Sequence, residues 1–190
     1  RSAMVSNWPE SNAGIGRQID VDGRTLHRTE QILGQLFPHS MVIGIGQGPL
    51  DDPARRVPVY SLYSETREPT ADMLRDLDLL IVDLQDIGAR IYTFIYTMAN
   101  CLRAAARHRV PVIVCDRPNP IGGERVEGNV VADAYRSFVG RFPLANRHGM
   151  TAGELAHFFR DACAIACDVT VVPMRGWERG MAYGDTGLPW

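Results

Sequence analysis

No apolar run in the chain approaches the length of about 18 residues that a membrane-spanning helix requires. A surplus of either charge is also missing. Twenty Lys and Arg stand against 22 Asp and Glu, a formal net charge of −2. No global basic field therefore exists to hold nucleic acid or an anionic membrane. Cysteine is scarce, with four residues in 190. Cys101, Cys115, Cys163 and Cys167 all sit in apolar segments. Cys163 and Cys167 are four apart on an expected helix, a poor disulfide geometry, and no nearby His completes a zinc spacing. Buried thiols are the expectation, and the even count leaves the compartment open. The chain has no G-x-x-x-x-G-K-[ST] loop and no G-x-S-x-G nucleophile elbow. Internal repeats, low-complexity tracts and linkers are missing as well. Arg1–Val5 enters a strand-like pattern at once and shows no signal-peptide pattern.

What is present is an ordinary globular composition, 45% hydrophobic and 22% charged, long enough to bury a core without staples. Short apolar, β-branched runs at 3–6, 41–46, 79–83, 110–116 and 169–173 end in polar or Gly-rich loops. Such runs read as strands buried on both faces. Helical periods lie between them. Thr25–Phe37 places its apolar residues on one stripe, and Thr70 suits an N-cap for Ala71–Leu77. Ile91–His108 is long and amphipathic, with Arg103, Arg107 and His108 toward its C-terminus. Thr151-Ala152-Gly153-Glu154 is a capping-box pattern opening a helix to about Ala166.

Strands alternating with helices predict an α/β fold: doubly wound and Rossmann-like, a mostly parallel sheet with helices on both faces. Residues 1–174 are expected to form that domain. Residues 175–190 are expected to begin a connection to a C-terminal domain absent from this chain. Arg117–Gly149 lacks periodicity, which inside a compact domain usually marks a functional loop region.

In doubly wound sheets ligands bind beyond the carboxyl ends of the strands. The polar residues accumulate at those positions: Asp83, Gln85, Asp86, Arg90 and Tyr92 after one strand, and Asp116, Arg117 and Asn119 after the next. Glu127 follows, and Arg147 and His148 precede the capped helix. Each has a plain structural alternative. Asp86 suits a helix cap, Arg90 an i,i+4 partner for Asp86, and Asn119-Pro120 and Gly122-Gly123 are turn formers. His148 alone reads as a loop histidine and Glu127 as a solvated carboxylate. The collection is harder to dismiss, because one sheet edge would gather carboxylates, arginines and a histidine. Gly44-Ile45-Gly46-Gln47-Gly48 follows a strand, but Pro49, Asp51, Asp52 and Pro53 come next in place of a helix start. That is loop chemistry, not a dinucleotide fingerprint.

At these residues the sequence becomes recognisable. Val59-Tyr60-Ser61-Leu62-Tyr63, the run from Asp83 to Thr93, Asp116-Arg117-Pro118-Asn119-Pro120, Val126-Glu127-Gly128, Arg147-His148-Gly149-Met150-Thr151 and the run from Asp185 to Trp190 occur together and in order. Together they resemble the NamZ-type exo-β-N-acetylmuramidases, a glycoside hydrolase family. The resemblance implies a Rossmann-like N-terminal domain and a C-terminal domain beginning near Trp190. It also implies release of N-acetylmuramic acid from the non-reducing ends of peptidoglycan fragments, a secreted or periplasmic setting, and neither metal nor organic cofactor.

One departure stands out. The family pattern resembles G-P-E-H-G after the second strand, with its glutamate regarded as catalytic. Gly46 stands in that place here, Gln47 replaces the histidine, and the loop to Val59 is short. Glu127 keeps the second acidic position. Glycoside hydrolysis normally uses two carboxyl groups, so the loss of one should lower the rate by about 10²–10⁴. The resemblance therefore assigns Glu127 the general acid, with Asp86 and His148 positioning or tuning it. Asp83, Gln85, Asp116 and Asn119 fall among the expected substrate-binding residues. Arg90, Arg117 and Arg147 suit the lactyl carboxylate of muramate, and Tyr92 and Trp177 suit a sugar face. The rivals are a muramyl-sugar-binding module without turnover and an unrelated nucleotide-binding domain. Asp83, Asp116 and His148 are expected near one edge of the sheet.

Overall fold

The computed structural model describes the backbone of residues 2–6, 41–44, 50–52 and 57–59, and all of residues 60–188 except Ser64. Its main sheet contains β1 (Ser2–Ser6), β2 (Met41–Gly44), β3 (Leu50–Asp52), β4 (Val57–Ser61), β5 (Leu79–Asp83), β6 (Val112–Cys115) and β9 (Val169–Val172). The spatial order is β3-β4-β2-β1-β5-β6-β9, and every neighbouring pair is parallel except β3 with β4. Numbered among themselves, the six parallel strands run 3-2-1-4-5-6. That is the doubly wound order, whose direction reverses between β1 and β5. The fold is α/β, as the sequence pattern predicts.

Local chemistry explains the elements. Leu80, Ile81 and Val82 of the central strand β5 are all buried, the signature of a strand covered on both faces. β9 is an edge strand, and Val172 is half exposed there. The described helices are α1 (Ala71–Leu74), α2 (Phe94–His108) and α3 (Ala152–Asp161). α2 packs against both α1 and α3, and its residues Ile95, Tyr96, Met98, Ala99 and Leu102 enter one core with Leu80, Val82, Val112, Leu155 and Phe159. The expected helix over 25–37 lies outside the described residues.

The Thr151 capping box forms as read. The Thr151 hydroxyl accepts from the Glu154 N–H, and the Glu154 carboxylate accepts from the Thr151 N–H. Thr151→Ala should cost about 1 kcal/mol of stability, measured by urea unfolding.

Three helix ends differ from expectation. α2 begins at Phe94 rather than Ile91, after a turn in which the Tyr92 N–H donates to the Ala89 carbonyl. α1 stops at Leu74 rather than Leu77. α3 stops at Asp161, because Ala164 turns left-handed at φ +55° and the chain reverses there. Cys163 and Cys167 consequently flank a turn and do not share a helix. All four cysteines are unpaired, and burial pushes the Cys115 thiol up to about 12 and Cys167 up to about 11.

The stretch from Arg117 to Gly149 is less irregular than its sequence suggests. It contains a two-stranded antiparallel ribbon, β7 (Glu127–Val130) with β8 (Ala145–Arg147), and a short 3-10 turn at Asp133–Tyr135. Every residue of β7 is exposed, so the strand carries no buried-face alternation to betray it.

Candidate functional site

The loops after β5 and β6 leave the sheet at adjacent carboxyl ends and are joined by polar bonds. The Arg117 guanidinium forks onto Asp83, with Nε donating to Oδ1 at 2.6 Å and an Nη donating to Oδ2 at 2.8 Å. Both side chains are mostly buried. Burial works against the Arg117 charge, but the Asp83 carboxylate more than offsets it and holds the guanidinium above its ordinary value. The Gln85 amide donates to the Pro118 and Asp86 carbonyls. The Asn119 amide donates to the Met150 carbonyl, while its oxygen accepts from the Ile121 N–H. Asp116 accepts from the N–H groups of Arg117 and Gly153. Burial nevertheless raises its carboxyl above the usual range.

Asp86 and His148 meet inside this network. Asp86 Oδ2 lies 3.1 Å from His148 Nε2 and accepts the Gly88 N–H at 2.8 Å. The Met150 N–H donates to His148 Nδ1, which places the ring proton on Nε2, facing the carboxylate. Both residues are more than nine-tenths buried. Asp86 does not cap α2, whose N-cap is Thr93, and Arg90 does not pair with it. The dyad ties the β5 loop to the segment entering α3. Gly88 is required beside it. Its φ is +82°, and an added Cβ would lie 2.3 Å from Asn119 Oδ1 and 2.6 Å from Ile121 Cγ1. Gly88→Ala should therefore destabilise the protein by about 1–3 kcal/mol, read by thermal unfolding.

Glu127 stands apart from the dyad, on the ribbon. Its carboxylate accepts from an Arg147 Nη at 3.0 Å, a cross-strand pair at the register position Glu127 opposite Arg147. One extra residue on β7 then shifts the register, so that Val130 lies opposite Ala145. Gly128, at φ +87° and too close to Asn146 for a Cβ, makes that bulge feasible. The Glu127 side chain is 55% exposed. The other Arg147 Nη donates to the Ile121 carbonyl, while its Nε–H has no partner. Arg90 braces the ribbon from the β5 loop. Its guanidinium donates to the Asn129 carbonyl and side-chain oxygen and to the Leu144 carbonyl, and its N–H to the Asn146 carbonyl. Tyr92 is half-buried, edge-on to Phe94.

Asp83, Asp116 and His148 thus gather at one edge, at the strand ends where the sequence pattern puts them. The three arginines play different parts. Arg117 is locked onto Asp83, Arg90 is locked onto the ribbon, and Arg147 alone faces an exposed carboxylate. The sequence reading missed Asn129 and Arg179. Arg179 donates to the Gly123 and Gly149 carbonyls and pairs with Glu154, so the tail after β9 folds back over the β6 loop. Nothing in the residue pattern of the tail signals that return. Gly46 and Gln47 lie outside the described residues. Among the described residues, no group of three or more His, Cys, Asp or Glu is arranged to hold a metal ion, and no helix is long and apolar enough to cross a membrane.

The sequence motifs that converge on this edge match a known family. The family model for the N-terminal part of exo-β-N-acetylmuramidase NamZ covers residues 46–190. The chain belongs to the NamZ family. A curated relative, the peptidoglycan β-N-acetylmuramidase NamZ of Bacillus subtilis, is 48% identical over an alignment 196 positions long that covers all of this chain and 46% of that protein. Two crystal structures of DUF1343 family proteins from Bacteroides fragilis are also similar. One has a TM-score of 0.83 at 39% identity, covering all of this chain and 49% of its own length. The other has a TM-score of 0.76 at 30% identity, covering 96% of this chain and 49% of its own. This NamZ-family chain therefore spans about half the length of the relatives it matches.

Proposed function

We propose that this domain recognises the terminal N-acetylmuramic acid of peptidoglycan fragments and takes part in its hydrolytic release. The observation that carries the reading is Glu127. It is an exposed carboxylate at the carboxyl edge of a NamZ-family domain, held on a ribbon by a bulge and a braced backbone. In this reading Glu127 is the catalytic acid. It passes a proton to the glycosidic oxygen as the bond to the anomeric carbon breaks. Water adds to that carbon and sheds a proton to solvent. Asp86 and His148 act as positioning residues, since their facing atoms are engaged with each other and with backbone. Asp83, Gln85, Asp116, Arg117 and Asn119 shape the floor by holding the loops, and Tyr92 lies on the segment entering α2.

A second reading, muramyl-sugar binding without efficient turnover, is favoured by one feature of the sequence. Gly46 and Gln47 replace the acidic and histidine positions of the family pattern. The test is incubation of the protein with peptidoglycan fragments bearing terminal N-acetylmuramic acid, with free muramic acid quantified over time. Release of the sugar supports the hydrolase. Calorimetric binding of N-acetylmuramic acid without release moves the function to the binding module. The absence of both release and binding removes the muramyl sugar altogether.

A further inference from the structure

We infer that Arg147 is the residue that reads the carboxylate of an anionic sugar, and that it does so by exchanging Glu127 for that carboxylate. The inference rests on the muramyl-sugar reading above and goes further. It assigns specificity to one arginine and couples recognition to the acid.

The three arginines of this edge differ in what remains for a ligand. Arg117 gives two donors to the two oxygens of a mostly buried carboxylate. Releasing them would strand Asp83. The Arg90 guanidinium serves backbone carbonyls and Asn129, and these acceptors carry no charge that a ligand carboxylate would replace. Arg147 is different on three counts. Its charged partner, Glu127, is more than half exposed. Its Nε–H is buried without a partner, so the fold does not use all of its donors. Its remaining Nη is fixed on the Ile121 carbonyl, which anchors the fork while the other side is free to change partner.

An exposed ion pair is weak, because water screens it and solvates both groups when it opens. An incoming carboxylate that also brings the contacts of a sugar ring competes with Glu127 on favourable terms. The exchange leaves Glu127 without its cation and beside a second anion. Glu127, released from Arg147, is then free to turn toward the glycosidic oxygen that it serves as acid. A neutral sugar of the same shape leaves the Arg147–Glu127 pair closed. Discrimination for a sugar bearing a carboxylate then shows in turnover as well as in binding.

The experiment compares N-acetylmuramic acid with its lactyl amide, which is isosteric and uncharged, by titration calorimetry. Wild type should prefer the acid by about 10- to 100-fold, the range of one charge-assisted contact. Arg147→Met should remove that preference, and Arg147→Lys should restore part of it. Circular dichroism and the melting curve establish that each variant folds. Glu127→Gln supplies the readout that a structural arginine would not move. With its competitor neutralised, Arg147 should bind the acid about two- to fivefold more tightly, with the amide unchanged. Persistence of the acid preference in folded Arg147→Met, or no tightening in Glu127→Gln, overturns the inference while leaving the muramyl reading in place. Failure of wild type to bind either sugar overturns both. Where turnover is measured, aryl glycosides of the two sugars should differ in kcat in wild type and converge in Arg147→Met.

Discussion

Arg117→Ala should destabilise the protein by about 3–5 kcal/mol, the usual consequence of removing one member of a mostly buried ion pair. The fork between Arg117 and Asp83 crosses from the end of β6 to the end of its neighbour β5, which borders the reversal point of the sheet. Without the guanidinium, Asp83 keeps a negative charge in a partly desolvated position with nothing to neutralise it. Burial already raises the neighbouring Asp116 carboxyl and Cys115 thiol, which shows how poorly this region solvates added negative charge. For a domain of this size the loss corresponds to a fall in melting temperature of about 6–20 °C. Replacing both members together, as Asp83→Leu with Arg117→Met, should recover much of it, because no uncompensated charge remains. Melting curves of the single and double variants decide the matter. A single variant as stable as wild type would mean that the pair contributes nothing and that Arg117 is available to a ligand after all.

The Arg117–Asp83 fork also marks the boundary of what the sequence makes legible. The fold is legible because its cause is local: runs such as 79–82 are apolar throughout and lead into polar loops, and the helices between them carry one apolar stripe. The location of the polar cluster is legible too, since it follows from the strand ends. Which arginine meets which acid is not. Arg117 and Arg147 both lie in polar segments of the chain, and their partners, Asp83 and Glu127, lie 34 and 20 residues away. Only the sheet register and the ribbon bulge decide those pairings. The ribbon itself leaves no trace in the sequence, because β7 is exposed along its whole length and so has no hydrophobic period. The early end of α3 is equally silent, because Ala164, not a glycine, adopts the left-handed conformation.

Glu127→Gln should lower hydrolysis of a chromogenic muramide by about 10²–10⁴, the contribution of a positioned acid or base, while the fold and sugar binding survive. Survival of the fold is expected because the Glu127–Arg147 pair is solvent-exposed on the Glu127 side and glutamine keeps an oxygen able to accept from Arg147. The ribbon is held by other bonds, from Arg90 to Asn129 and Leu144 and across β7 and β8. The reciprocal variant adds a carboxyl group at Gly46, the position at which the proposed reading expects the second acid. Gly46→Glu should raise the rate, since two carboxyl groups divide the work of protonating the leaving oxygen and stabilising the cation or activating water. The gain is bounded above by the same factor of about 10²–10⁴, and the short loop to Val59 argues for less. Rates for wild type, Glu127→Gln, Gly46→Glu and the double variant on one substrate separate the possibilities. If Glu127 is the acid, Gly46→Glu helps only while Glu127 is present, because a carboxylate that stabilises the cation or activates water does not replace the proton donor. An equal gain in the Glu127→Gln background would show that another residue carries the proton.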